Sequence, residues 1–164
     1  MYSAYQLDFK QREDLLKQFP PRYRRVVADH ITVRFGGNHL PLPEMPEKAE
    51  IVGMADDGNG LQALIVQING NLVRQDGSIY HITWSLDSNK QTPPELDSTP
   101  NQTYKPVHSN TLVQAVINPD GTEKKNHHPD WCVQLLKTPT ALNVKPVLRY
   151  TSAELKKKRL VKEI

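Results

Sequence analysis

The chain has 164 residues, 37% of them hydrophobic and 24% charged, with a net charge of +3. That length suits one domain and buries roughly two-thirds of the extended surface on folding, enough for a sizeable core. The lone cysteine, Cys132, excludes an internal disulfide, and no apolar run approaches the ~18 residues of a membrane span. The mildly basic balance permits a phosphate-bearing partner without requiring one. The opening MYSAYQLDFKQRED has no apolar signal core, so a reducing, cytoplasmic setting is expected, with no membrane association. In that setting the sequon Asn101-Gln-Thr103 reads as chance.

In chain order, residues 2–7 read as a short strand. Asp8 can cap the helix that follows, Gln11 completes a capping box, and Leu15, Leu16 and Phe19 make its apolar side. Pro20 and Pro21 stop it. From Val26 to Phe35 the pattern has period two and predicts a strand. Val27, Ile31, Val33 and Phe35 fall on one face, with Asp29 the exception. Val26, Ala28, His30, Thr32 and Arg34 fall on the other. Gly36-Gly37 ends it, and a proline-rich loop runs from Leu40 to Pro46.

Residues 50–55 and 61–68 read as two strands joined by the turn signal Asp56-Asp57-Gly58-Asn59-Gly60. Asn69-Gly70 and Asp76-Gly77 are further turns, with Leu72 to Arg74 a short strand or plain loop between them. Ile79 to Leu86 alternates again. Tyr80, Ile82, Trp84 and Leu86 form an apolar face, and Ile79, His81, Thr83 and Ser85 the opposite one. Residues 88–104 are polar and read as a mobile loop. Ser109 can cap a short helix through Leu112, Val113 and Val116. A turn at Asn118-Pro119-Asp120-Gly121 precedes two late strands, 131–136 and 141–150. Thr151 and Glu154 form a capping box for a C-terminal helix carrying Lys156, Lys157, Lys158 and Arg159, a run expected on a solvated face.

The tripeptide His-Ile-Thr therefore occurs twice, at 30–32 and 81–83, each time on a strand with an apolar opposite face. The spacing sets an imidazole and a hydroxyl about 7 Å apart on one side of each strand. Arg34 continues the first row and Ser85 the second. Were the strands close in one sheet, two imidazoles and two hydroxyls would line one groove. Phosphodiester cleavage needs such a set. One imidazole takes a proton from the attacking oxygen, and the other gives one to the leaving oxygen, both near neutral pH. Hydroxyls and a guanidinium can hold the phosphate oxygens. The bland alternative is two partly buried histidines satisfied by hydrogen bonds.

HITVRF and HITWSL resemble the paired H-x-[ST]-hydrophobic signatures of the two-histidine (2H) phosphoesterase superfamily. This superfamily includes the LigT-like cyclic phosphodiesterases and the cyclic phosphodiesterase domain of fungal and plant tRNA ligases. The run KPVHSN, residues 105–110, is similar to a pattern in the tRNA-ligase branch. The resemblance covers about residues 2–117 and is carried by the two motifs.

The resemblance implies an α+β, bilobal fold, with two antiparallel sheets around a central cleft and helices outside. The whole chain, 1–164, would be one such domain, with 118–164 an extension lacking a counterpart in the family. It implies metal-independent hydrolysis of a cyclic phosphate, a cyclic (oligo)nucleotide or a cyclic-phosphate RNA end, with no cofactor and no obligate protein partner. Some phage members destroy cyclic nucleotide signals of bacterial immunity. By that likeness His30 and His81 are the catalytic pair, His81 as base and His30 as acid. Thr32 and Thr83 hold phosphate, with Arg34 beside them or salt-bridged elsewhere. Tyr5 can stack on a base or pack in the core, and Ser109 and Asn110 can bind substrate near His81. The histidines stand 51 residues apart, at 30 and 81, closer than in most of the family. A non-catalytic module binding RNA or a cyclic nucleotide in the same groove is the alternative function. His127-His128 suggests a metal pair, but adjacent strand histidines point apart and no third ligand is near, so a solvated loop is the reading adopted. His39 and His108 read as loop residues.

Overall fold

The computed structural model describes residues 1–37, 39–87, 108–151 and 153–157. The loop expected over 88–104, and Lys158 and Arg159 of the basic run, lie outside the described residues. The element order is β1 (Tyr2–Leu7), α1 (Phe9–Gln18), β2 (Arg25–Val26), β3 (His30–Phe35), β4 (Ala49–Asp56), β5 (Leu61–Ile68), β6 (His81–Leu86), α2 (Ser109–Val116), β7 (Cys132–Ala141) and β8 (Val144–Arg149). The chain is an α+β fold dominated by an antiparallel sheet. Its strands join in the order β7-β4-β5-β6-β3-β1-β8, with β2 alongside β6.

Two cores form on the two faces of this sheet, and alternation along the strands assigns residues to each. Along β5, Leu64 and Val66 join α1 residues Leu15 and Phe19, with Ile31, Ile82 and Trp84. Ala63 and Ile65 join α2 residues Leu112, Val113 and Val116. Trp84 is fully buried, lies edge-on to Phe19, and donates its indole N–H to the Phe19 carbonyl at 2.8 Å. The helix start follows its cap: the Asp8 carboxylate accepts the Gln11 amide N–H at 3.0 Å. The Gln11 side chain, however, does not return to the cap. It donates to the Ala141 carbonyl and accepts from the Asn143 N–H, both at 2.6 Å.

The continuous strand expected over Val26–Phe35 is broken. Ala28 has φ +42°, in the left-handed region, and its carbonyl accepts from Arg12 Nε at 2.7 Å. This kink separates β2, which pairs with β6, from β3, which lies between β6 and β1. It explains why Asp29 interrupts the apolar alternation. Residues 72–74 form a single bridge, Val73 with Ile79, and Ile79 itself precedes β6.

β7 and β8 are neighbours in sequence, separated only by Leu142 and Asn143, yet they form opposite ends of the strand path. The two ends therefore converge at that link. Residues beyond 118 thus supply both flanking strands, one paired with β4 and one with β1. The helical turn over residues 153–157 opens with the expected capping box, in which the Glu154 N–H donates to the Thr151 hydroxyl at 3.3 Å and the Thr151 N–H to the Glu154 carboxylate at 3.2 Å.

Leu15 is 2% exposed and packs between α1 and the sheet. Leu15→Ala should lower unfolding stability by about 2–5 kcal/mol. Urea titration would read this as a lower midpoint with an unchanged m-value.

Candidate active site

The two His-Ile-Thr strands are direct neighbours. β3 and β6 run antiparallel and pair at Ile31 with Ile82, both fully buried on the α1 side. This register sets His30 level with Thr83 and Thr32 level with His81, all on the opposite face. The two histidines then sit on a diagonal, where regular sheet geometry separates Cβ atoms by about 7–8 Å. Each imidazole can reach one side of a phosphate held between them.

The rows do not continue as the alternation predicts, because each strand is irregular just after its threonine. Against β1, Ala4 pairs with Thr32 but Ser3 pairs with Arg34, which leaves Val33 as an extra residue. Against β5, Ala63 pairs with Thr83 but Gln62 pairs with Ser85, which leaves Trp84 extra. A bulge of this kind shifts the alternation by one. Arg34 is thereby turned away from the Thr32 row. It is exposed and is not brought to the imidazoles. Ser85 is likewise turned to the α1 side, where its hydroxyl donates to Gln62 Oε1 at 2.7 Å.

Phe35 takes the place expected of Arg34. It pairs with Tyr2, and their rings are 5.8 Å apart. Tyr2 also lies 5.3 Å from the His30 ring. Of the two roles open to Tyr5, stacking on a base or packing in the core, the structure has the second. It pairs with Ile31, shares that buried face, and donates its hydroxyl to the Glu44 carbonyl at 2.7 Å. Tyr2 is the ring beside the His30 imidazole.

Ser109 is brought to the second motif, with Asn110 next to it in α2. The cap position of α2 is His108, which makes no side-chain cap bond. Ser109 is inside the helix, and its hydroxyl lies 2.6 Å from that of Thr83. The buried Asn110 Oδ1 has no hydrogen-bond partner among the described residues. The N-terminus of α2 thus lies at Thr83, where its dipole favours an anion.

Each imidazole is oriented through Nδ1. His81 Nδ1 donates to the Ile79 carbonyl at 2.7 Å, and His30 Nδ1 to the Asp29 carboxylate at 3.0 Å. Burial lowers both pKa values from the ordinary histidine range. For His81, the nearby charges of Arg74 and His30 add to the lowering.

Arg74 is the residue that sequence reasoning passed over. It is buried, donates Nε to Asp76 at 2.8 Å and Nη1 to the Thr32 carbonyl at 3.4 Å, and lies 5.9 Å from the Phe35 ring centre. Its bond holds the Asp76 carboxyl down at about 2. The Asp76-Gly77 turn was visible in the sequence; what it folds Arg74 against was not. His127 and His128 are occupied otherwise: His127 meets Glu123 at 3.3 Å, and His128 lies beside the Trp131 ring at 5.6 Å. Among the described residues no group of three or more His, Cys, Asp or Glu side chains could hold a metal ion, and no helix is long and apolar enough to cross a membrane.

Comparisons of this chain with protein-family models, curated proteins and solved structures find no match.

Both imidazoles bind a proton more weakly in the folded than in the unfolded chain. The stability they contribute is complete above the unfolded value of about 6.5 and is lost as pH falls through the lowered folded values. Thermal midpoints should therefore fall as pH drops from about 7 through the lowered folded values. The fall should be shallower in the His30→Gln/His81→Gln double variant.

Proposed function

We propose that the chain is a phosphodiesterase of the two-histidine kind, opening a cyclic phosphate or a cyclic (oligo)nucleotide by paired acid–base catalysis. The observation that carries this reading is the antiparallel joint at Ile31–Ile82, which gathers His30, Thr32, His81 and Thr83 on one face. In this reading the strands on either side of the joint are the two lobes of the bilobal fold, and the face between them is the cleft.

Support for distinct roles comes from the two Nδ1 partners. His81 is tied to a neutral carbonyl and has Arg74 nearby, which favours a neutral ring whose Nε2 accepts a proton. His30 is tied to a carboxylate, which works toward the charged ring that donates one, against the burial that keeps its pKa below the ordinary value. In hydrolysis of a 2′,3′-cyclic phosphate, His81 Nε2 takes a proton from water as the water oxygen bonds to phosphorus. The phosphorus–ribose oxygen bond breaks, and His30 Nε2 gives its proton to the leaving oxygen. The product is a phosphomonoester, and solvent restores both rings. With a 3′,5′-linked cyclic oligonucleotide the neighbouring 2′-hydroxyl replaces water, the bond to O5′ breaks, and a 2′,3′-cyclic phosphate results. The Thr83–Ser109 hydroxyl pair and the α2 N-terminus suit phosphate oxygens as charge builds. Tyr2 and Phe35 give the cleft an aromatic rim suited to a nucleobase.

The test is a panel of 2′,3′-cyclic mononucleotides, 3′,5′-cyclic dinucleotides and trinucleotides, and cyclic-phosphate-ended RNA, assayed with EDTA present. Wild type should cleave a panel member, and His30→Ala and His81→Ala should each lose at least ~100-fold in kcat/KM. Tight binding without cleavage would replace this reading with the binding module. Cleavage surviving both substitutions would end it.

Because the base must be neutral and burial lowers His81, the acid limb of the kcat/KM profile should fall below about pH 6.5. Initial rates across pH, with the reactive substrate, would read this.

A further inference from the structure

We infer that Asp29 and Arg149 are a positioning pair for His30, so that strand β8 is a working part of the site. The inference rests on the reading of His30 as the proton donor.

The geometry runs through one oxygen. Asp29 Oδ2 accepts from His30 Nδ1 at 3.0 Å and also from Arg149 Nη1. An ionised carboxylate has no proton to give, so Nδ1 carries the hydrogen and Nε2 faces the substrate side. A second shared carboxylate bond of this kind fixes both tautomer and ring plane, as it does for histidines that bind metals. Arg149 holds more than the carboxylate. It stands opposite Tyr2 in the β1–β8 pairing, and the Tyr2 ring lies 5.3 Å from that of His30. The guanidinium thus holds the group beneath His30 from the strand position that faces the ring beside it.

The backbone is shaped to the same end. Ala28 adopts φ +42°, a conformation rare for a residue with a side chain, and Arg12 holds the carbonyls of Ala28 and Val27. That kink delivers Asp29 to His30. Strain of this kind persists where the surroundings over-determine it, often at functional sites. Burial works to raise the Asp29 carboxyl, but Arg149 and His30 together bring it below its ordinary value, so it stays charged. The groups facing His30 are Asp29 on its own segment, Tyr2 from β1, His81 from β6 and Arg149 from β8.

The two partners act on His30 with opposite sign, which separates positioning from general support of the fold. Asp29 favours the charged ring and Arg149 opposes it. The experiment is ring-nitrogen NMR of the full chain, without substrate, on wild type, Asp29→Asn, Arg149→Met and Arg149→Lys, with His81 as the internal reference. Wild-type His30 should be the Nδ1–H tautomer. Its titration midpoint should fall in Asp29→Asn and rise in Arg149→Met, each by at least about half a pH unit. Arg149→Lys, which keeps the charge, should lie near wild type and serves if Arg149→Met does not fold. On the substrate that reports cleavage, Asp29→Asn should lose at least tenfold in kcat with KM little changed. An Nε2–H tautomer in wild type, or midpoints that move together or not at all, would overturn the inference. Since the NMR needs no turnover, a failed pair beside intact cleavage, or an intact pair beside no cleavage, tells the two readings apart.

Discussion

The strands on either side of the sheet meet along β3 and β6, and the register there depends on one antiparallel pair, Ile31 with Ile82. Both side chains are fully buried in the α1-side core. A one-residue slip would carry a buried isoleucine out of that core and push an imidazole into it. Burying an isoleucine is favourable by about 1.5–3 kcal/mol, so apolar packing holds the register. The polar groups on the other face inherit their positions from it. In this arrangement a hydrophobic contact between two strands does the aligning, and the four polar side chains need no direct bond to one another. Their hydrogen bonds run to other groups instead: His30 to Asp29, His81 to the Ile79 carbonyl and Thr83 to Ser109.

The repetition of His-Ile-Thr extends to the backbone. In both strands the residue after the threonine is the extra one, Val33 against β1 and Trp84 against β5. Both of these side chains pack on the α1 side. A bulge increases local twist and re-aims the side chains beyond it. Here it ends the polar row after two residues and turns the strand back toward its core. The second copy buries its next residue: Ser85 bonds Gln62, which reaches Met54 Sδ at 3.2 Å and the Pro20 carbonyl at 3.4 Å. The first copy instead exposes Arg34 and brings Phe35 toward Tyr2 and Arg74. Beyond the second motif the chain is therefore packed into the α1-side core, while beyond the first it carries aromatic and cationic groups beside His30.

Much of the frame was legible because period-two alternation and turn chemistry are local. The strands at 2–7, 61–68 and 81–86, the Asp8 cap and the turn after Asp56 are all set by neighbouring residues. Alternation failed where the backbone departs from regularity. Nothing in VVADHITVRF marks Ala28 as left-handed or Val33 as extra, so Arg34 and Phe35 were assigned each other's faces. For Tyr5, strand membership alone left stacking and core packing both open, and pairing with Ile31 on the buried face decides for packing. The long-range partners of the site were not legible at all. Arg74 reaches Thr32 across 42 positions and Arg149 reaches Asp29 across 120, distances over which sequence pattern carries no signal. Asp29 did leave a trace, as the one polar residue on an apolar face.

The C-terminal strands make these distant contacts possible. β7 and β8 share a two-residue link while flanking the sheet at its opposite ends. Gln11 of α1 grips both sides of that link, at Ala141 and Asn143, and the Leu142 N–H donates to the Ala49 carbonyl at 2.8 Å. The helix, β4 and the link are thereby fastened together. β8 carries Arg149, which bonds the same carboxylate as His30. The first imidazole is thus tied to a segment outside the two motifs, while the second is held by a main-chain carbonyl only two residues away at Ile79. The two histidines, alike in sequence, differ in what fixes them: one depends on the whole fold and the other on its own strand.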